Sequence, residues 1–204
     1  IVYRARRSDR LGGMLCSFLR KLPSHIRFQL FFLEDLFSPE DNEYFRMVRA
    51  QCATPIAMGE LYSSPHEIIP MIKDRLLDFI RIHISDMGGI TPCRKLAAMG
   101  ELFSVRTAWH GPSDTSPIGH AANLALDLNC SNFGIQEYAI FGERTQEVFP
   151  GCPEVRDGMM WPNGKPGLGI DINEELAAKF PYDEYEFGGA WDTVRRADGS
   201  VVKP

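Results

Sequence analysis

From residue 30 onward, short apolar runs alternate with longer stretches in which apolar residues recur at helical spacing. The apolar runs are Leu30–Leu33, Pro55–Met58, Phe79–Ile84, Val105–Trp109 and Phe133–Ile135. Each run has the length of a strand, and the strand ends recur about every 25 residues. Strands that alternate with helices predict a parallel sheet with right-handed crossover connections.

Amphipathic stretches fill the gaps between the predicted strands. The first is Asn42–Gln51 and the last is Ile118–Leu128. Between them, Ser64-Pro65 and Thr91-Pro92 each predict a helix start, because Ser and Thr are good N-caps and Pro fits the first turn. A further short helix is predicted at Asn173–Phe180.

Two α/β architectures fit this alternation, a doubly wound sheet and a (β/α)8 barrel. Polar residues follow nearly every predicted strand at its C-terminal end. A barrel builds its site from all of these ends, whereas a doubly wound sheet concentrates its site at one switch point. The pattern therefore favours a partial (β/α)8 TIM-type barrel, in which we expect Ile56 and Ile82 to face inward.

The chain divides into three regions. Residues 1–29 form a basic segment of unknown role, since residues 1–30 hold seven Arg or Lys and one acid, Asp9. Residues 30–140 carry the pattern of the C-terminal part of a barrel. Residues 141–204 are rich in Gly, Pro and aromatic side chains and predict a C-terminal extension that packs on the barrel or on a neighbouring region.

Composition narrows the classes of function. A hydrophobic content of 44% and a charged content of 24% are typical of a soluble globular protein. The net charge of -5 gives no reason to expect nucleic acid or an anionic membrane as a partner, and no apolar run reaches 18 residues. The five cysteines are irregularly spaced without a CxxC pair, which predicts reduced thiols in a cytoplasmic protein.

Glu34 and Glu60 each end a predicted strand, and the two strands are neighbours. Two carboxylates at adjacent strand ends suit a hard, oxygen-preferring cation such as Mg2+. The alternative is that both are surface acids or N-caps of the helices that follow them.

His110 ends the fourth predicted strand, and Gly111-Pro112 turn the chain abruptly so that the imidazole stays at the barrel mouth. Histidine suits proton transfer or a hydrogen bond to a substrate oxygen, and the alternative is a purely structural histidine. Asp114 follows four residues later, and Glu137 ends the fifth strand and is expected to face the same cavity.

Arg81 and His83 lie on one face of the third predicted strand because side chains alternate with period two. A cation that points inward must find an anion. The candidates are a substrate carboxylate or an ion pair with Glu60 or Asp86.

Together these residues describe a site with a cation, acids and an imidazole. Abstraction of a proton α to a carboxylate needs that mixture, because the proton is weakly acidic and a divalent ion must stabilise the ene-diolate as it forms. His25 and His120 lack such a context and are expected to be non-functional.

Several segments, in this order, resemble the D-mannonate dehydratase family of the enolase superfamily. They are Phe31-Phe32-Leu33-Glu34-Asp35, Pro55-Ile56-Ala57-Met58-Gly59-Glu60, Trp109-His110-Gly111-Pro112-Ser113-Asp114, Asn132-Phe133-Gly134-Ile135-Gln136-Glu137 and Lys165-Pro166-Gly167-Leu168-Gly169-Ile170-Asp171. The resemblance covers about residues 30–204 and implies the C-terminal part of an enzyme barrel. It implies removal of water from an aldonic acid, D-mannonate or D-gluconate, to give a 2-keto-3-deoxy acid in carbohydrate catabolism.

The resemblance also implies roles for single residues. Glu34 and Glu60 match the second and third metal carboxylates, with Mg2+ as the cofactor. The implied substrate-binding positions are Glu60, Arg81, His110, Asp114 and Glu137, with His110 as the catalytic candidate. Pro112 is similar to the less efficient or gluconate-using members, and the family implies a homo-oligomer.

The chain departs from the family in residues 1–30, which contain no Asp-x-His and no recognisable counterpart of the catalytic Tyr. The capping domain is missing, and Leu36 stands where the family usually has Pro. We therefore expect the chain to be the C-terminal part of a longer enzyme and inactive by itself. The alternatives are a non-catalytic, starvation-sensing-like or regulatory remnant of the family, and a different superfamily activity such as racemisation.

Overall fold

The computed structural model describes residues 30–181. The predicted basic segment 1–29, with Cys16 and His25, lies outside the described residues, as does the end of the tail with Trp191. The proposed division into three regions stays a prediction.

A sheet of parallel strands forms the centre of the described part, and its strands follow one another in chain order. The strands are β1 (Leu33–Glu34), β2 (Ile56–Met58), β3 (Phe79–Ile80) and β4 (Arg106–Thr107). A single parallel bridge between Thr107 and Phe133 adds the fifth predicted strand. The ladder continues beyond β3, since the N–H of His110 donates to the carbonyl of Ile82 at 3.1 Å.

Helices connect the strands, as the hydrophobic pattern predicts. They are α1 (Asn42–Arg49), which follows a 3-10 turn (Pro39–Asp41), α2 (Pro65–Lys73), α3 (Ile90–Leu102) and α4 (Pro117–Asp127). The order of strand, helix and parallel strand confirms the predicted α/β fold. None of the helices between residues 30 and 181 has the length and apolar character that a bilayer-spanning helix needs.

Of the two predicted helix starts, the one at Ser64 is confirmed and the one at Thr91 is not. Ser64 caps α2: its hydroxyl accepts from the N–H of His66 at 3.3 Å, and Glu67 accepts from the N–H of Ser64 at 2.8 Å. The predicted cap Thr91 is wrong, because α3 begins at Ile90 after Gly89 with a φ of 97°. The double glycine before α3 supplies the turn, so no side-chain cap is used.

The two faces of the sheet carry different side chains. Ile56, Met58 and Ile82 pack on the helices in the main core, so the expectation that Ile56 and Ile82 face inward is wrong. The inner face carries Phe32, Ala57, Phe79 and Ala108. Alternation along the third strand then directs Arg81 to the inner face, two residues after Phe79.

Gly59 is required where β2 ends. Its φ is 143°, and a Cβ there would lie 2.9 Å from Ile82 Cγ2 and 3.1 Å from the carbonyl carbon of Arg81. The close approach of the two strands at this point sets the position of Glu60, the next residue.

After Glu137 the chain forms a smaller unit from α5 (Glu143–Val148), the antiparallel hairpin of β5 (Glu154–Arg156) and β6 (Met159–Trp161), and α6 (Glu174–Ala177). The predicted helix at Asn173–Phe180 is confirmed as α6, which is shorter, with Asn173 Oδ1 accepting from the N–H of Leu176 at 3.0 Å. The Tyr138 hydroxyl donates to the carbonyl of Pro153 at 3.0 Å. This bond ties the hairpin to the segment that leaves the barrel.

Candidate active site

The side chains that follow the strands converge on the inner face of the sheet, and Arg81 lies at their centre with 3% of its surface exposed. Its Nη2 donates to Glu34 Oε1 and, at 2.9 Å, to Glu137 Oε2. The same nitrogen lies 3.1 Å from His110 Nδ1, and Nη1 donates to the carbonyl of Ala108 at 3.4 Å. Arg81 therefore joins three predicted site residues.

The ion pairs of Arg81 join it to Glu34 and Glu137, neither of which the sequence had indicated as its partner. Asp86, which the sequence had indicated, lies 3.8 Å from His83 Nδ1 instead. Burial by itself would lower the pKa of Arg81, but the two neighbouring carboxylates outweigh burial and raise it. The guanidinium is a fixed positive charge.

Glu34, Glu60 and His110 form a candidate metal site, since each offers one ligand atom and these atoms lie within 4.8 Å of one another. Glu34 is 6% exposed and Glu60 is half-buried. The alternative of Glu34 as an ordinary surface acid is therefore wrong. His110 Nδ1 lies 3.5 Å from Glu60 Oε2.

Glu137 is held by three donors. Its Oε2 accepts from Arg81 and, at 3.0 Å, from the N–H of Gly111, and it lies 3.3 Å from His110 Nδ1. Burial would raise the pKa of Glu137, but the hydrogen bond from His110, the charge of Arg81 and the Gly111 N–H outweigh burial and lower it. Glu137 is therefore ionised within the cluster.

Asp35 belongs to the same cluster, although the sequence did not indicate it. It is buried, its φ is 45°, and its Oδ1 has no hydrogen-bond partner among residues 30–181. Burial, with added repulsion from Glu60 and Glu34, raises the pKa of Asp35 to about 7. The pKa of Asp35 is raised mainly because the carboxylate is buried, and the neighbouring acids Glu60 and Glu34 add to the effect.

Asp114 and His83 lie at the edge of this arrangement. Asp114 is exposed, and no hydrogen bond or ion pair to the described part of the chain holds it. His83 Nε2 lies 2.9 Å from Thr115 Oγ1, and its ring centre is 5.6 Å from that of His110. The structure therefore brings together Glu34, Glu60, Arg81, His110 and Glu137 but does not bring Asp114 to them.

A family model described as Enolase C-terminal domain-like matches residues 14–176. The chain belongs to this family. The matched range begins inside the predicted basic segment and includes all of the sheet. It confirms the predicted enolase-superfamily fold, of which the chain is the C-terminal part.

Curated relatives are similar over most of the chain. D-galactonate dehydratase family member RspA of Pantoea ananatis is 55% identical over 179 residues, and a family member of Musicola paradisiaca is 52% identical. Each match covers 87% of this chain and 42% of the relative. The chain thus spans less than half the length of these relatives, whose names do not support the narrower assignment to D-mannonate dehydratases.

Solved structures agree with the fold. A crystal structure of an enolase from Pantoea ananatis with bound D-gluconate and Mg is 56% identical with a TM-score of 0.78, covering 86% of this chain and 42% of that one. A mandelate racemase/muconate lactonizing enzyme from Jannaschia sp. CCS1 is 25% identical with a TM-score of 0.71, covering 78% of this chain and 40% of that one. Both matches support the fold of a partial barrel.

Proposed function

We propose that the chain is the C-terminal part of a magnesium-dependent sugar-acid dehydratase, which removes water from an aldonic acid to give a 2-keto-3-deoxy acid. One observation carries the proposal: two carboxylates, Glu34 and Glu60, and the imidazole of His110 converge within 4.8 Å of one another beside the buried Arg81. The D-gluconate and Mg of the Pantoea ananatis structure support it.

The residues present fit Mg2+, which prefers carboxylate oxygens. Glu34 and Glu60 would hold the ion, and their two negative charges are ones that a divalent cation would balance. When bound, Mg2+ would stabilise the negative charge that develops on the substrate carboxylate. His110 offers nitrogen, a poorer ligand for this ion, so we assign it to the substrate.

The chain's own residues then have distinct roles. Arg81 fixes Glu34 and Glu137 and supplies positive charge beside the substrate. His110 Nδ1 faces Glu60 and Glu137, and its Nε2 has no hydrogen-bond partner in the described part of the chain. Nε2 is therefore the atom that we propose to carry a proton to the leaving hydroxyl.

For the substrate we propose D-gluconate first and D-mannonate second. The bound D-gluconate of the relative and Pro112 favour this order. Glu60, Glu137 and Asp114 would contact the sugar acid, with Asp114 placed on the exposed turn that follows His110. A homo-oligomer in the cytoplasm, without nucleic acid or a membrane as partner, stays part of the proposal.

The test is an assay of the full-length gene product with a panel of aldonic acids, with detection of the 2-keto-3-deoxy product. We expect turnover of D-gluconate or D-mannonate that requires Mg2+ and is lost with a chelator. Epimerised acid without dehydration would favour racemisation. A folded protein that binds sugar acids without converting any of them would favour the non-catalytic alternative.

A further inference from the structure

The turn after β4 is supported from behind by α4. His120 is fully buried on α4, and a Cβ on Gly111 would come 2.8 Å from its Cε1. His120 Nε2 lies 3.4 Å from the carbonyl oxygen of Pro112. The ring therefore fills the space beneath Gly111 and reaches the next backbone carbonyl.

Other side chains hold the same turn at neighbouring atoms. Asn123 Nδ2, also buried on α4, donates to the carbonyl of His110 at 3.4 Å. The N–H of Gly111 donates to Glu137 Oε2 at 3.0 Å. Each residue from His110 to Pro112 thus has a backbone group bound by a side chain.

The surroundings of His120 determine the protonation state of its ring. Its ring centre lies 5.2 Å from that of Tyr138 and 5.1 Å from that of Phe141, and burial lowers its pKa. A neutral ring whose Nε2 faces a carbonyl, which can only accept, carries its proton on Nε2. Nδ1 has no partner among residues 30–181, so the one polar contact of the ring is with Pro112.

We propose that His120 is a positioning residue for the candidate active site. Its Nε2–H anchors the Pro112 carbonyl and its ring supports Gly111, so that the Gly111 N–H stays on Glu137 and the His110 imidazole stays beside Arg81. The kinetic part of this inference rests on the proposed function.

The effect on the site would come through geometry. If the Pro112 carbonyl is released, Gly111 can move and Glu137 loses one of its three donors. A displacement of about 1 Å in a catalytic group can cost about a hundredfold in rate. A residue that never touches the substrate can therefore control turnover.

The experiment compares two variants of the full-length gene product. His120→Gln keeps an N–H donor, whereas His120→Phe keeps an aromatic ring without one. We expect His120→Gln to keep kcat within about threefold and His120→Phe to lower kcat at least about tenfold with KM changed less than about twofold. Tyr138→Phe, which alters the same aromatic cluster, is the matched control and should leave kcat unchanged.

Two further measurements test the inference and do not depend on enzyme activity. Amide exchange of the peptide that contains Gly111 should accelerate in His120→Phe and not in His120→Gln. In the wild-type protein, nitrogen NMR should show a neutral His120 ring with its proton on Nε2. An Nδ1–H tautomer, a charged ring or equal amide exchange in all variants would overturn the proposal. If the NMR and exchange results are as expected but the enzyme shows no turnover, only the dehydratase function is contradicted.

Discussion

Among the site residues, Glu60 takes part in several interactions at once. It offers a ligand atom within 4.8 Å of those of Glu34 and His110, its Oε2 lies 3.5 Å from His110 Nδ1, and its charge helps to raise the pKa of Asp35. Removal of the Glu60 charge should therefore affect the candidate cation site, the His110 imidazole and the Asp35 carboxylate together.

We predict that Glu60→Gln in the full-length gene product abolishes turnover and leaves the fold intact, because the substitution keeps the volume and removes one charge. Loss of charge stabilisation at such a site is worth several kcal/mol. Steady-state kinetics should be compared with Glu147→Gln, a change at an exposed acid of α5. A Glu60→Gln enzyme within about tenfold of wild type, about 1.4 kcal/mol, would show that Glu60 is not a ligand.

Asp127, the last residue of α4, provides a pH prediction. Burial raises the pKa of Asp127 to about 8, whereas an unfolded Asp titrates near 4. The folded state then binds more protons than the unfolded state between these values, so its contribution to stability is present at low pH and is lost as pH rises toward about 8.

Asp127→Asn should therefore raise the free energy of unfolding at pH 9 by about 1 kcal/mol or more and have a smaller effect at pH 5. Denaturant titrations of the full-length gene product at the two pH values measure this difference. Asp157→Asn, in the exposed turn of the hairpin, is the control and should show no such pH dependence. An equal effect of Asp127→Asn at both pH values would contradict the prediction.

The positions of residues along the chain were enough to indicate most of the acids of the candidate site and the His110 imidazole, because parallel strands end at the same edge of the sheet. It was not enough for Asp35 and His120. Asp35 combines a left-handed backbone with burial beside the site residues, and His120 meets Gly111 only because α4 folds back on the strand. The acid pair Glu34-Asp35 was a visible signal for the first, and nothing local marked the second.

At the scale of elements, α2 depends on its capping box. Ser64→Ala should lower the free energy of unfolding by about 1 kcal/mol, because the His66 N–H loses its acceptor at the helix start. Denaturant titration of the full-length gene product measures the loss. Ser63→Ala, one residue earlier, should be close to neutral, and equal losses for both would rule out the cap as the cause.

Helix and strand periodicity predicted the barrel elements because each buries one face in a regular way. The hairpin β5–β6 was missed, although Asp157-Gly158 is a strong turn signal and both residues have positive φ values of 52° and 75°. Its strands are largely exposed, so no alternation of apolar and polar residues marked them.

At the scale of the whole molecule, the sheet has open edges within residues 30–181. In this part no strand pairs with the outer side of β1, and only one bridge joins Phe133 to β4. Phe31 is 48% exposed and Phe133 is 44% exposed. Each large apolar side chain left in water forfeits about 1.5–3 kcal/mol, against a total stability of about 5–15 kcal/mol.

We therefore predict that the 204-residue chain expressed by itself is insoluble, molten or obligately associated. Size-exclusion chromatography with light scattering, followed by calorimetry, tests this. A monodisperse monomer with a sharp thermal transition would contradict the prediction and would show that residues outside 30–181 complete the fold.

The same chain should bind Mg2+ weakly or not at all. Glu34 and Glu60 supply two carboxylates, whereas the ion demands near-octahedral geometry and gives up water reluctantly. Isothermal titration at physiological salt measures the affinity, with Glu34→Gln as the control. Micromolar binding that the control abolishes would show that two carboxylates are enough.

Three aromatic side chains form one layer beside the Arg81 cluster. The rings of Phe31, Phe32 and Phe79 lie with their centres 5.3–5.5 Å apart, one layer below Arg81. Phenyl rings offer an anion no hydrogen bond. Within the described part of the chain, the groups of this cluster that could bind an anion therefore lie on the Arg81 side of the layer, where the side chains follow the strands.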